Sequence, residues 1–282
     1  MFNNIGIVGV GLIGASMAIE IKNKHLAQTV IGFDKNQQSL DIAVKNGIID
    51  GYSNIKDIGV CDFVIVATPV ASIADVIKEI TPNLKEGTLI IDVGSVKSSI
   101  IDSVLPFLDD AIHYVPIHPI AGIEKFGVDA AKKDLFKGAY CIITPFEGIN
   151  RFAQNKVENF IENLGMRVEI MDAKSHDNVF AYISHLPHFI AYALVGLIEN
   201  KNDDRFKFIG GGFRDFTRIA ASSEEMWSDI FLLNKKELLH SVDEFKIQID
   251  KIRESIETEN IESLKEYLRQ ARIFKESLDE KR

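Results

Sequence analysis

Only two cysteines, Cys61 and Cys141, occur in 282 residues, far apart and in apolar stretches that read as strands. A disulfide framework is therefore not expected. Neither cysteine has metal-ligand spacing around it, so both read as reduced, buried thiols and the metal expectation is none. Positive charge is scarce too, with a formal net charge of −9. That balance argues against nucleic acid, whose phosphates need clustered Lys and Arg. An anionic substrate must then be drawn by a focused site rather than by the field of the whole molecule. No apolar run is expected to reach membrane-spanning length, and a first strand beginning almost at Met1 leaves no room for a signal peptide. The expected compartment is the cytoplasm, with no membrane partner. Internal repeats and low-complexity segments are also missing.

What is present begins with a nucleotide fingerprint. Asn4–Val8 is a short buried-strand pattern, and Gly9-Val10-Gly11-Leu12-Ile13-Gly14 follows at once. Apolar residues at helical spacing run from Ala15 to Lys24, and a second strand, Thr29–Phe33, ends at Asp34. In this order the glycines have separate tasks: a tight turn, room for a diphosphate, and close helix–strand packing. The helix N-terminus offers unpaired N–H groups to the same phosphates. Asp34 suits ribose hydroxyls and repels a 2′-phosphate, so NAD is favoured over NADP, although Lys35 beside it softens that repulsion. Strand and helix patterns keep alternating, which predicts an α/β unit with a mostly parallel sheet over residues 1–172. Thr68, Ser95 and His118 all fall at strand ends, where such sheets bind ligands.

After Asp172 the pattern turns helical. His188–Ile198 is apolar nearly all round, as expected of a helix buried in a core or between subunits. From Asn234 two charged helices carry an apolar stripe through Leu238, Val242, Phe245, Ile249, Ile252 and Ile256, with a break near Asn260. So elongated a unit buries little surface alone, and a homodimer through these helices is expected. Between the two parts, Gly210-Gly211-Gly212 precedes Arg214 and Arg218, which share one face if the segment is helical. The pair reads either as an anion clamp or as a surface ion-pairing element. Ser95 reads as a helix cap or as a reacting hydroxyl, and His118 as a structural or a catalytic imidazole. His176, Asp177, His185 and His188 form a further cluster; His185 and His188, three apart on a helix, suggest a metal pair, but no matching carboxylate or cysteine completes such a site.

Taken together, Gly9–Gly14, Asp92–Lys97, His118–Glu124, Ser184–His188 and Gly210–Arg218 resemble prephenate dehydrogenases over nearly the whole chain. These enzymes oxidatively decarboxylate prephenate to 4-hydroxyphenylpyruvate in tyrosine biosynthesis. The resemblance implies a Rossmann-like domain followed by an all-α dimerisation domain, over residues 173–282. It implies His118 as the catalytic histidine bonded to the ring hydroxyl, with Ser95 orienting it and approaching the nicotinamide. Arg218 corresponds to the arginine holding the ring carboxylate, His188 and Trp227 to pocket residues, and Arg214 to a residue at the pocket rim. Glu124 and Asp215 correspond to gating acids. Ile123 stands where relatives often carry threonine, which opens the choice between prephenate and arogenate. Gly9, Gly11, Leu12, Ile13, Gly14, Asp34, Thr68 and Ser95 are the residues expected at NAD. Tyrosine, if it inhibits, is expected to compete at the active site. No room is expected for an appended regulatory or chorismate mutase domain.

Overall fold

The computed structural model describes residues 1–123, 125–199 and 204–280. Glu124 therefore lies outside the described residues. Eight strands form one sheet: β1 (Phe2–Val8), β2 (Ala27–Phe33), β3 (Gly51–Tyr52), β4 (Phe63–Val66), β5 (Leu89–Asp92), β6 (His113–Pro119), β7 (Tyr140–Ile143) and β8 (Arg167–Ile170). Their order is β3-β2-β1-β4-β5-β6-β7-β8. The first six are parallel, β7 runs antiparallel to β6, and β8 parallels β7. This is the expected Rossmann-like arrangement, and the chain reverses its direction of sheet growth between β1 and β4. A crevice opens at such a switch point.

Alternation along the strands decides what each face buries. Ile5, Ile7, Phe63, Ile65, Leu89 and Ile91 pack on one side against Met17, Ile21, Leu40, Val157 and Phe160. The residues between them, Val8, Val64, Val66 and Ile90, meet Ile73, Ile77, Ile100 and Val104 on the other. The helices concerned are α1 (Leu12–Asn23), α2 (Gln37–Lys45), α3 (Ile73–Ile80), α4 (Ser98–Val104) and α5 (Arg151–Leu164). Full burial of one such aliphatic side chain contributes about 1.5–3 kcal/mol, so this two-sided core carries the domain. Local signals set the ends of α5: the Asn150 side chain accepts from the Ala153 N–H, and Gly165 takes φ +96° at the C-terminus.

Beyond β8 the chain is helical, with α6 (Ala173–Phe180), α7 (Leu186–Glu199), α8 (Gly211–Thr217), α9 (Glu224–Leu233), α10 (Lys235–Glu257) and α11 (Ile261–Glu280). One compact unit lies within Met1–Lys235 and a second begins at Lys236. In the second unit, Ser255 Oγ meets Ser263 Oγ at 3.1 Å, and the Tyr267 hydroxyl donates to Gln248 Oε1 at 3.4 Å. Those pairings make α10 and α11 an antiparallel hairpin around the break expected near Asn260.

α6 and α7 are joined by a π-helical turn, Ala181–His185, into one run from Ala173 to Glu199. By length and composition this run is apolar enough to cross a membrane, contrary to the sequence expectation. The discrepancy arises because the π-turn lets two ordinary helices continue as one. His176, Asp177 and His185 are buried along it and bonded to other parts of the fold, whereas Ile183, Phe189, Val195 and Leu197 are exposed.

Candidate active site

The glycine loop is shaped by steric limits. Gly9 has φ +93°, and a Cβ there would lie 2.6 Å from the carbonyl atoms of Ala67; a Cβ on Gly14 would lie 2.1 Å from the Gly9 oxygen. At Gly11, by contrast, a Cβ would meet nothing within 4 Å, so the backbone faces open space. Gly11 is also the N-cap of α1 and gives that helix no side-chain cap, leaving its first-turn N–H groups directed at the same space. Asp34 closes the loop from the end of β2: its Oδ2 accepts from the Val10 N–H at 2.7 Å and its Oδ1 from the Asn36 N–H at 2.8 Å. Thr68, just past β4, has a buried hydroxyl with no hydrogen-bond partner among the described residues. A diphosphate-bearing dinucleotide fits this cradle, since the open position, the uncapped helix and the orphaned hydroxyl lie around the end of β1 and its neighbour β4.

Ser95 and His118 follow in the next two strands of the parallel order, so the three expected strand-end residues do line one edge of the sheet. Ser95 is half-buried in the turn after β5 and makes no side-chain hydrogen bond among the described residues. The group that touches His118 is His176, whose Nε2 lies 2.8 Å from His118 Nδ1. Phe180 packs against both rings, 4.8 Å from the His118 centroid and 4.5 Å from that of His176. His176 Nδ1 in turn lies 2.8 Å from Asp177 Oδ1. Burial holds His118 well below the usual histidine range, and His176, Lys97 and His185 add to the effect. For Asp177 burial acts upward but is outweighed by donation from His176, Lys97 and Ser98, so its pKa is lowered. The result is a neutral imidazole in contact with a chain that ends on an ionised carboxylate.

Beneath these residues is a second buried polar group. Lys97, fully buried, donates from Nζ to Asp92 Oδ1 at 2.6 Å and to the Ile117 carbonyl at 2.7 Å. The Tyr114 hydroxyl donates to Asp92 Oδ2 at 2.7 Å. The Lys97 backbone N–H reaches Asp177 Oδ1 at 2.8 Å, which ties this pair to the histidine chain. Charge burial on this scale is tolerable only because every partner is hydrogen-bonded.

The helical residues connect to the same network. The Asn234 amide donates to the Asp177 carbonyl at 2.8 Å and lies 3.0 Å from His185 Nδ1. Burial pushes His185 down to about 4. His188 stacks on Trp227 with centroids 3.5 Å apart, and its Nδ1 donates to the Ser184 carbonyl at 2.9 Å. Trp227 Nε1 is buried without a hydrogen-bond partner among the described residues. Arg214 lies in α8, and Arg218, four residues on, opens the 3-10 turn that follows it, so the conditional helix of the sequence reading exists. α7 packs against that turn, and the Tyr192 hydroxyl donates to the Ser222 carbonyl at 2.9 Å. His188 and Tyr192 are four apart on α7, which sets the arginine turn beside the His188–Trp227 stack.

Sequence reasoning singled out His118 but not its partner. His176 and Asp177 were visible only as members of a histidine-rich cluster, and Asn234 only as a helix boundary. Lys97 carried no signal of burial.

Comparison with known proteins places these features in a family. The family model described as prephenate dehydrogenase, nucleotide-binding domain, matches residues 17–170, and that described as prephenate dehydrogenase, dimerization domain, matches residues 172–270. The prephenate dehydrogenase of Bacillus subtilis (strain 168) is 37% identical over 284 residues, covering 99% of this chain and 76% of the relative. A cyclohexadienyl dehydrogenase of Zymomonas mobilis is 35% identical, covering 96% of this chain and 94% of the relative. Among solved structures, prephenate dehydrogenase from A. aeolicus in complex with hydroxyphenyl propionate and NAD+ superposes with a TM-score of 0.94 at 35% identity, covering 99% of each chain. By its matched domains and its likeness along nearly the whole length, this chain belongs to the prephenate dehydrogenase family.

Proposed function

We propose that the chain is an NAD-dependent oxidoreductase that converts prephenate to 4-hydroxyphenylpyruvate and carbon dioxide for tyrosine biosynthesis. The observation that carries this reading is a neutral, half-buried His118 at the strand edge shared with the glycine loop, bonded through His176 to Asp177. When bound, NAD+ supplies the hydride acceptor. His118 accepts the proton of the ring hydroxyl as hydride leaves the carbon that bears it. The new carbonyl is conjugated to the carbon bearing the carboxylate, so the bond to carbon dioxide breaks and its electron pair enters the ring. The phenolate oxygen then takes back the proton from His118, which balances the step. Alignment of ring and cofactor supplies the larger share, up to about 7–11 kcal/mol in intramolecular limits, and a positioned base about 10²–10⁴-fold.

Arg218 is read as the clamp on the ring carboxylate, with Arg214 at the rim and His188 and Trp227 along the pocket wall. Ser95 sits between His118 and the nicotinamide in this reading. Gly9, Gly11, Leu12, Ile13 and Gly14 take the diphosphate, Asp34 the ribose, and Thr68 a further cofactor contact. The likeness to a cyclohexadienyl dehydrogenase, together with Ile123, supports arogenate as the second substrate to test. Residues 1–172 serve as the NAD domain and 173–282 as the substrate and dimerisation part, in a cytoplasmic homodimer; tyrosine, if it inhibits, competes with substrate at the active site. The test is NADH formation from NAD+ with prephenate, run beside arogenate and NADP+. No turnover of either substrate by protein that binds NAD+ would sink the assignment.

A further inference from the structure

Both ring nitrogens of His176 are engaged, and their partners fix where its hydrogen is. The Asp177 carboxylate accepts from the Lys97 N–H at Oδ1 (2.8 Å), from the Ser98 N–H at Oδ2 (2.8 Å) and from the His176 ring at Oδ1. An ionised carboxylate only accepts, so His176 Nδ1 must carry the hydrogen. A neutral imidazole has a single N–H, which leaves His176 Nε2 as a lone pair. The contact of 2.8 Å to His118 can then form only if His118 Nδ1 donates. His118 is left with its own lone pair on Nε2, which makes no hydrogen bond among the described residues.

We propose that His176, held by Asp177, is a positioning residue that sets His118 in the tautomer whose Nε2 accepts the substrate proton. The inference rests on reading His118 as the base. The geometry also serves the moment after transfer, because a protonated His118 still donates from Nδ1 to His176, whose own hydrogen stays directed at the carboxylate. The proton moves from the substrate oxygen to His118 Nε2 and travels no further. His176 is suited to the task by immobility: it is fully buried, stacked on Phe180 and fastened at both nitrogens. The other charged or titratable groups facing the two rings are Asp92 from β5, Lys97 from the turn after it, and His185 and Asp177 from the helical run.

Nitrogen NMR of histidine-labelled wild-type protein reads the tautomer without turnover, with the His118 signal assigned by its loss in His118→Asn. A hydrogen on His118 Nδ1 and a bare Nε2 are expected; a hydrogen on Nε2 would overturn the proposal. In kinetics, His176→Phe keeps the stack on Phe180 but removes the acceptor, and kcat should fall about 10–100-fold with KM for prephenate changed little. His176→Gln returns an acceptor oxygen near the former Nε2 and should recover part of that loss. Unchanged kcat and an unmoved acid limb in a folded His176→Phe protein would also overturn it. If His176→Phe does not fold, the wild-type spectrum decides alone. Wild-type kcat in His118→Asn is a different result, because it removes the base reading itself whatever tautomer the spectrum shows.

Discussion

His118 is an instance of a residue whose chemistry is set by its surroundings more than by its type. Free histidine titrates near pH 6.5, and that value alone places an acid limb of activity there. In the fold, burial first, then His176, Lys97 and His185, lower it well below that point. The base must be neutral to accept a proton, so activity is lost as pH falls through the lowered pKa and is intact above it. The acid limb of kcat/KM should therefore lie below pH 6.5 in a pH series with prephenate; a limb at or above 6.5 would contradict the assigned surroundings. Arg218 acts differently, through binding. Arg218→Ala should raise KM for prephenate by roughly 10-fold or more, the loss of one charge-assisted pair, with a smaller effect on kcat. Initial rates over a range of prephenate concentration separate the two effects.

At the level of elements, Gly14 and Gly11 of the glycine loop make a controlled comparison. Gly14 is pressed against the Gly9 carbonyl, so Gly14→Ala forces the backbone apart and should lower thermal stability as well as NAD+ affinity. Gly11 faces open space at φ −89°, which alanine adopts freely. Gly11→Ala should leave the melting temperature within a few degrees of wild type while weakening NAD+ binding roughly 10-fold or more, as a methyl group enters the diphosphate's path. Calorimetric titration beside thermal denaturation tells the two apart, and equal behaviour would count against the cradle. A second prediction concerns the turn between β5 and α4. Lys97→Met leaves Asp92 buried without its cation, and removing one partner of a buried pair costs about 3–5 kcal/mol. Urea denaturation should show that loss, whereas a midpoint near wild type would mean the pair is not needed.

For the whole molecule the exposed surface is the telling feature. Along the helical run, Ile183, Phe189, Val195 and Leu197 are exposed, and on the separate hairpin Ile249, Ile256, Leu268, Ile273 and Phe274 are too. Apolar exposure on this scale is the mark of a surface that meets a partner. Sedimentation should give twice the 31.5 kDa of one chain. Leu197→Glu should shift the equilibrium toward monomer, and a monomer in the wild type would argue against the dimer. The exposed face of α7 has a counterpart in the sequence, which is apolar nearly all round there. What periodicity could not tell was which of those residues the chain buries by itself.

The local order of the fold is written in the sequence because its causes are local. Strand alternation, the glycine fingerprint, the Asn150 cap and the Gly165 stop of α5 each depend on a few neighbouring residues. His118 and the Gly210–Arg218 segment were legible for a related reason: they carry recognisable motifs. The connections among site residues are another matter. His118 and His176 are 58 positions apart, and Lys97 and Asp177 are 80 apart. No periodicity links them, since their meeting depends on strand order and on where α6 docks. The π-turn at Ala181–His185 gives no pattern of its own, yet it changes the rotation of every residue after it, His188 included. The sequence by itself thus determined the kind of domain and the chemical types at the site. Only the tertiary structure decided which imidazole nitrogen faces a partner and which is left bare, because that choice is made by contacts between segments that are remote along the chain.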